Sequence, residues 1–453
     1  MATANTVFKK ILNVNDAIID DMHLSETYNG EKTLTFDVHL RKGLQWRCPC
    51  CGKRRPVHDH PYIQNRWRGL DFGGIKIYLQ ASVPRIRCPK HGVKTASVPW
   101  AFPGARFTKD FDYTVTWMGK YLSRSALSRY MRIDWETVGR CITRAHNDIE
   151  PDVHVRFDGL VNIGIDETSY QKGHKYITVV VNHDTNTVVW AGKDHGKSVL
   201  EKFLKLLTEE QRASVQVVTG DGARWITDCV NEYLPNAERC VDPFHVVEWT
   251  MEALDEVRIA SWRRAAEKAA ELKVSRGPGR PAADDTEAAA ARTAAKQASE
   301  IKHSTYALGK APEHLTNTQA IRLEMIQQTD NQLYRAYLLK EQLRSILKLD
   351  DVDAAEEELI KWVKWARHCR IASFVKLQRK IMRHKDHILN TIRYGLSNAR
   401  IEATNNKIKL LIRQAYGFRD VDNMIDMVLL YCSNLRIPLP NRPVPKEALS
   451  QVA

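Results

Sequence analysis

The chain has 453 residues, 43% of them hydrophobic, with a formal net charge of +14 and a pI near 9.3. That length exceeds one compact core and points to roughly two to four domains, while the positive charge makes a polyanion the first partner to consider. No apolar run approaches the roughly 18 residues of a membrane span. The start, "MATANTVFKK", lacks the apolar core of a secretion signal, so a cytoplasmic location is expected, where the nine cysteines serve as thiols or metal ligands rather than as disulfides.

After an N-terminal segment (1–40), residues 41–104 read as a zinc-binding domain. "CPCCG" supplies Cys48 and Cys51, and "RCPKHG" supplies Cys88 and His91. Each pair has a two-residue gap that lets a tight turn aim both side chains at one ion, and each is followed by glycine. The expectation is one structural Zn²⁺, with Cys50, His58 and His60 as spare ligands; the bland alternative is unrelated residues in turns. Basic residues interleave with aromatics in "NRWRG" and "PRIRCPKHGVK", so Arg66, Arg68, Arg85 and Arg87 are candidate phosphate contacts, unless they form an ordinary solvated surface.

Residues 105–150 carry helical periodicity broken at Arg132 to Asp134, with Asp134 a candidate N-cap for a second helix from Trp135. Two short helices joined by such a turn make a helix-turn-helix, whose second helix would present Glu136, Thr137, Arg140 and Arg144 to a DNA groove.

From residue 158 the rhythm changes. "LVNIGID", "YITVVVN" and "NTVVWAG" read as a three-stranded meander, followed by a helix, the strand "VQVVTGDGA", a helix, the strand "AERCVD" and a helix near Phe244. That is the order of a ribonuclease H-like domain with a mixed sheet flanked by helices. Asp166 then ends the central strand and Asp221 follows the strand beside it. Carboxylates so placed call for cations between them, and hard oxygen ligands favour Mg²⁺. Two such ions about 3.5 to 4 Å apart activate an attacking oxygen and stabilise a leaving one. "GLSNARIEATNNKIKLLIRQAYGF" offers the third acid, Glu402, on a helix whose polar stripe continues through Asn406, Lys409 and Arg413, candidates for a phosphate track. Glu167, by strand alternation, points to the other side.

The blocks "IGIDETSY", "VVTGDGA", "VDPFHVVEW", "LLKEQLR" and "SNARIEATNNKIKLLIRQAYGFRD" resemble those of bacterial insertion-sequence transposases of the ISL-three family, from the zinc knuckles to about residue 434. The resemblance implies an Asp, Asp, Glu triad at Asp166, Asp221 and Glu402 holding two Mg²⁺ ions, and a site-positioning pair at Asp242 and His245. It also implies that the helical excess between Asp221 and Glu402 is an insertion domain that shapes the active site and helps bind transposon ends. Within it, Trp362 and Trp365 are core residues before they are base-stacking ones, and "VSRGPGRPAADDTEAAAARTAAKQASE" reads as a low-complexity linker or mobile loop whose "RGPGRP" is like a minor-groove hook.

The expected fold class is therefore multidomain α+β/α: a zinc ribbon and helix-turn-helix, then a ribonuclease H-like catalytic domain in two parts (155–255 and 393–435) around an all-helical insertion (256–392), with a tail at 436–453. The expected function is a metal-dependent DNA transposase, bacterial and nucleoid-associated, that binds terminal inverted repeats, cleaves the ends and joins 3′ hydroxyls to target DNA. Its partner is double-stranded DNA, in a homodimer or larger synaptic complex. The alternatives are an endonuclease without strand transfer and a DNA-binding repressor with a retired catalytic fold.

Overall fold

A computed structural model describes residues 4–272, 285–396 and 399–442. The chain divides into two units, one formed by residues 1–156, 170–175 and 406–453, the other by 157–169 and 176–405.

The first unit opens with structure where the sequence suggested only a segment. Helix α1 (Ala4–Ile11) precedes strands β1 (Ala17–Glu26) and β2 (Lys32–Leu40), followed by β3 (Val57–Asp59), β4 (Asn65–Arg68), β5 (Lys76–Ala81), β6 (Arg85–Cys88) and β7 (Gly92–Thr95). One sheet has the order β1-β2-β5-β4 and a second β3-β6-β7. Because β2 pairs in parallel with β5, residues 17–40 share a sheet with the middle of the expected zinc domain. Phe36, Val38 and Leu40 alternate inward with Ile77, Leu79 and Ala81, the period-two signature of a half-buried sheet. Trp67 and Trp100 close that core edge to face, with ring centroids 5.6 Å apart.

The same unit continues into helices α2 (Lys109–Met118), α3 (Arg124–Met131) and α4 (Trp135–Ile149). The break falls where the sequence placed it. Arg132 adopts φ 54° and ends α3, and Leu127, Met131, Val138 and Ile142 are buried on one face. Asp134 occupies the N-cap position of α4 but makes no capping bond with its side chain.

The second unit is built on strands β8 (Asn162–Gln171), β9 (Lys175–Asn182), β10 (Thr187–Lys193), β11 (Val217–Gly220) and β12 (Glu238–Val241), in the order β10-β9-β8-β11-β12. β11 runs parallel to both β8 and β12, and β10 antiparallel to β9, so the sheet is mixed. Helices α5 (Lys197–Leu206), α6 (Glu209–Ser214) and α7 (Arg224–Tyr233) lie between β10 and β12 in the chain. Their apolar faces leave β9, β10 and β11 almost continuously buried.

Nine further helices follow among the described residues: α8 (Pro243–Glu271), α9 (Thr286–Lys302), α10 (Thr305–Gly309), α11 (Asn317–Thr329), α12 (Asn331–Ile346), α13 (Val352–His368), α14 (Ala372–Arg383), α15 (Lys385–Tyr394) and α16 (Ala399–Gln414). Two long amphipathic stretches, residues 316–347 and 356–392, are interrupted. Asp330 ends α11 and caps α12, its carboxylate accepting from the Leu333 amide at 2.9 Å, while Arg370, at φ 58°, separates α13 from α14. Trp362 is fully buried and donates from Nε1 to the Leu339 carbonyl at 2.8 Å, and Trp365 packs against the same core. The Ala-rich stretch, expected to be a mobile linker, is instead helix α9 from Thr286 on. Asp285 caps it, and Ala294, Ala298 and Ile301 are buried. Alanine is the strongest helix former, and a low-complexity composition built on it hides a stable helix. The "RGPGRP" hook lies outside the described residues. A last helix, α17 (Val421–Cys432), belongs to the first unit and packs on α4, where Asp426 accepts from Thr143 Oγ1 at 2.6 Å and contacts His146 Nδ1 at 2.8 Å. The expected second catalytic segment thus ends with a helix of the first unit. Among the described residues no helix is long and apolar enough to cross a membrane.

Candidate active site and zinc knuckles

The knuckle turns close through their glycines. Gly52 and Gly92 sit at φ 66° and 70°, a left-handed conformation that glycine adopts without strain, and the Gly52 amide donates to the Cys48 carbonyl at 2.9 Å. The ligand atoms of Cys48, Cys51, Cys88 and His91 all lie within 4.8 Å of one another. Cys51 Sγ is 3.8 Å from Cys88 Sγ, and His91 Nδ1 is 3.4 Å from Cys88 Sγ and 3.6 Å from Cys48 Sγ. A tetrahedral zinc with ordinary bond lengths requires separations of about 3.8 Å between sulfurs and about 3.6 Å between sulfur and nitrogen. The four residues fit one zinc. Burial works against charge on Cys88, yet the Lys90 amide and the His91 ring and amide hold its thiol down at about 6, ready to ligate as thiolate. Arg55, beside the Cys51 and Cys88 sulfurs, is held above its usual value and supplies positive charge to the cluster. Cys50, His58 and His60 are exposed and outside it.

In the second unit, β8 and β11 pair in parallel with Thr219 opposite Gly164, so two residues further along Asp166 and Asp221 stand abreast. Asp166 does not end its strand, since β8 runs on to Gln171; what ends there is the pairing with β11. Burial pushes the Asp166 carboxyl up, opposed by the Glu167 amide, the Asn405 side chain and His245, and reinforced by the negative charge of Asp221. Asp221 Oδ1 accepts from the Ala223 amide at 2.9 Å, and its carbonyl receives the buried guanidinium of Arg239.

Gly164 sets the position of α16. A Cβ there would stand 2.1 Å from Ile401 Cδ1 and 2.7 Å from His183 Nε2, so with glycine the Ile401 side chain of α16 seats against β8 without being displaced. Ile401 is fully buried in that contact and Glu402, next to it, is exposed. Three residues on, Asn405 is buried, donates from Nδ2 to Asp166 Oδ2, and accepts from Thr168 Oγ1 at 2.7 Å. The polar stripe read from the sequence includes Asn406 and omits Asn405; the signal for Asn405 is its spacing of about one turn from Glu402. Asp166, Asp221 and Glu402 do not close to within 4.8 Å as a group; among the described residues only the zinc cluster does.

Asp242 is buried at the start of α8, where its carboxylate accepts from the Phe244 amide at 3.1 Å. His245 contacts Glu248 at 3.0 Å and interacts electrostatically with Asp166. Glu167 has a role of its own in the fold. Its Oε1 accepts from the Gly196 amide at 3.3 Å and lies 3.9 Å from His195 Nδ1, which ties down the loop after β10.

The expected DNA contacts divide. Arg68 is buried, its guanidinium committed to Asp71 at 3.1 Å and to the Arg132 carbonyl at 2.8 Å. Arg144 holds the fully buried carboxylate of Asp112 at 2.7 and 2.8 Å, and Thr137 is buried beneath Arg140. These three serve the interior of the first unit. Arg66, Arg85, Arg87, Arg140, Asn406, Lys409 and Arg413 are exposed. Arg85 is paired with Asp59, and Arg66 lies over the Tyr78 ring at 3.7 Å.

Three family profiles match successive parts of the chain. A profile described as a transposase of the ISL3 class matches residues 163–428, one described as the zinc finger of the IS204, IS1001, IS1096 and IS1165 transposases matches 44–91, and one described as the helix-turn-helix domain of transposase family ISL3 matches 96–146. The chain is 40% identical over 438 residues to the transposase for insertion sequence element IS1557 of Mycobacterium tuberculosis, covering 96% of this chain and 97% of the relative. It is 25% identical over 393 residues to the transposase for insertion sequence element IS1001 of Bordetella parapertussis, covering 85% and 89%. The chain belongs to the ISL-three family of insertion-sequence transposases, with a zinc ribbon and a DNA-binding helix-turn-helix ahead of a mixed α/β domain.

Proposed function

We propose that this transposase binds the terminal inverted repeats of its element, cleaves the ends and transfers the released 3′ hydroxyls to target DNA at Asp166, Asp221 and Glu402. The observation that carries the reading is the pair of carboxylates abreast on neighbouring parallel strands, with Glu402 on the helix seated at Gly164 two residues before Asp166. Two half-buried acids whose charges repel, balanced only in part by the Asn405 amide and His245, form a donor set suited to hard divalent cations. Two Mg²⁺ ions held there would supply an activated water and stabilise the leaving oxygen.

The chain's own groups do the rest. Asn405 and Thr168 fix the Asp166 carboxylate, Arg239 donates to the carbonyl of Asp221, and the charge of His245 on α8 favours ionised Asp166. The five-stranded mixed sheet supports a ribonuclease H-like reading, and helices α8 to α15 fall between Asp221 and Glu402, as an insertion within that fold would. Recognition of the repeats falls to the zinc ribbon and to α4, with exposed Arg66, Arg87 and Arg140 as backbone contacts and Asn406, Lys409 and Arg413 along α16 as a second track. Two ends are cut in concert, so at least two copies assemble.

The test is substitution of Asp166, Asp221 or Glu402 by alanine in the full chain. Cleavage of a duplex bearing the element's terminal repeat is expected to disappear while binding to it persists. Loss of binding in step with cleavage would make these acids structural and overturn the reading.

A further inference from the structure

Gly222, the residue after Asp221, is roofed by an indole: a Cβ there would stand 2.3 Å from Trp249 Cζ2. Trp249 lies on α8 two turns after Asp242, and its other contacts come from α14 and the residue that ends it. Lys380 Nζ sits 3.7 Å from the centroid of the Trp249 ring, and the His384 ring lies 5.5 Å from it. The register is fixed by Ser373, whose buried hydroxyl donates to the Ala253 carbonyl at 2.9 Å, so that α14 and α8 run in opposite directions and Lys380 comes opposite the turn that carries Trp249.

Lys380 is half-buried yet unpaired: among the described residues no carboxylate oxygen lies within 4.0 Å of its ammonium. Burial lowers its proton affinity, while Glu252, Asp221 and Glu248 raise it from a distance and Arg383 lowers it. A cation held on an aromatic face, partly stripped of water and without an ion pair, is free to meet an anion from outside the chain. Around it the insertion helices add His384 and His387, whose Nδ1 atoms are 3.4 Å apart, and burial first, then neighbouring positive charge, holds both below their usual values, so neither adds a fixed charge beside the lysine.

We propose that Lys380, seated on Trp249, is a phosphate-binding residue of the cutting site, gripping the DNA backbone beside the bond that Asp221 serves. The assignment rests on the cutting site proposed above. An ammonium is a compact point charge suited to a phosphodiester oxygen, and the indole that carries it also covers Gly222, next to Asp221. The helical region thereby contributes directly to the chemistry rather than only enclosing it.

The experiment compares full-length wild type with Lys380→Gln, Lys380→Arg and Asp221→Ala on terminal-repeat duplexes in which single phosphates are replaced by neutral methylphosphonates. Lys380→Gln, which keeps most of the side chain's length, is expected to slow cleavage about 100-fold with end binding nearly unchanged, and Lys380→Arg to recover part of that rate. One neutral replacement near the cleaved bond should slow wild type but leave Lys380→Gln no slower than it already is, because both changes remove the same contact. Wild-type cleavage by Lys380→Gln, or losses that multiply at every replaced phosphate, would overturn the proposal. Retained cleavage by Asp221→Ala would instead overturn the cutting site itself.

Discussion

Asn405 shows how the site is held at the scale of one residue. Its amide spans Asp166 and Thr168, and removing it leaves a half-buried carboxylate without its side-chain donor. Asn405→Ala is expected to slow end cleavage by about 10 to 100-fold with binding intact; single-turnover rates check this, and an unchanged rate would remove Asn405 from the site. His146 gives a pH signature in the first unit. Burial alone would lower its proton affinity, but the carboxylates of Asp426 and Glu150 raise it to about 9. A raised value means that the protonated ring stabilises the fold fully below about pH 6.5 and that this contribution fades as pH rises through about 9. The thermal midpoint of wild type should therefore exceed that of His146→Gln most at pH 6 and least at pH 10. The placement of Asp166 and Asp221 on neighbouring strands was legible in the sequence, because each follows an apolar run. Asn405 was not, since an asparagine in a helix announces no partner, and neither was the burial of Arg68 and Arg144, because an arginine's sequence context does not say whether an acid such as Asp71 or Asp112 waits inside.

At the scale of elements, the contact between β8 and α16 depends on the absence of one methyl group. Gly164→Ala would force Ile401 and His183 apart and is expected to cost about 1 to 3 kcal/mol, read as a lowered denaturant midpoint, with cleavage falling further than stability accounts for. A variant as stable and active as wild type would mean that α16 adjusts freely. Strand order, the helix-turn-helix break and the apolar face of α16 could be read from periodicity, which burial enforces directly. The interruptions at Asp330 and Arg370 could not, because a helical apolar pattern can persist across a one-residue cap that restarts the next helix in phase. Helix α9 was hidden for the converse reason: its alanines bury a narrow stripe that composition alone presents as featureless.

At the scale of the whole molecule, the sequence order of the chain is not the order of its units. Residues 1–40 look like a preliminary segment, yet they form half of a sheet completed by β4 and β5, a pairing set by long-range register that local patterning does not reveal. The last helix, α17, returns to α4 through Asp426. Removal of zinc by chelation, or by Cys88→Ser, is expected to reduce metal content from one zinc per chain and to abolish end binding, because metal binding and folding of the ribbon are one process; full binding by a zinc-free protein would refute that coupling. The central claim joins both units in one reaction, and a strand-joining assay tests it most directly. Full-length protein, a labelled terminal-repeat duplex and supercoiled target DNA are incubated with Mg²⁺, and labelled end covalently joined to target is measured. The account predicts joined product with wild type and none with Asp166→Ala, Asp221→Ala or Glu402→Ala; cleaved but never joined ends, or joining by any of the three variants, would contradict it.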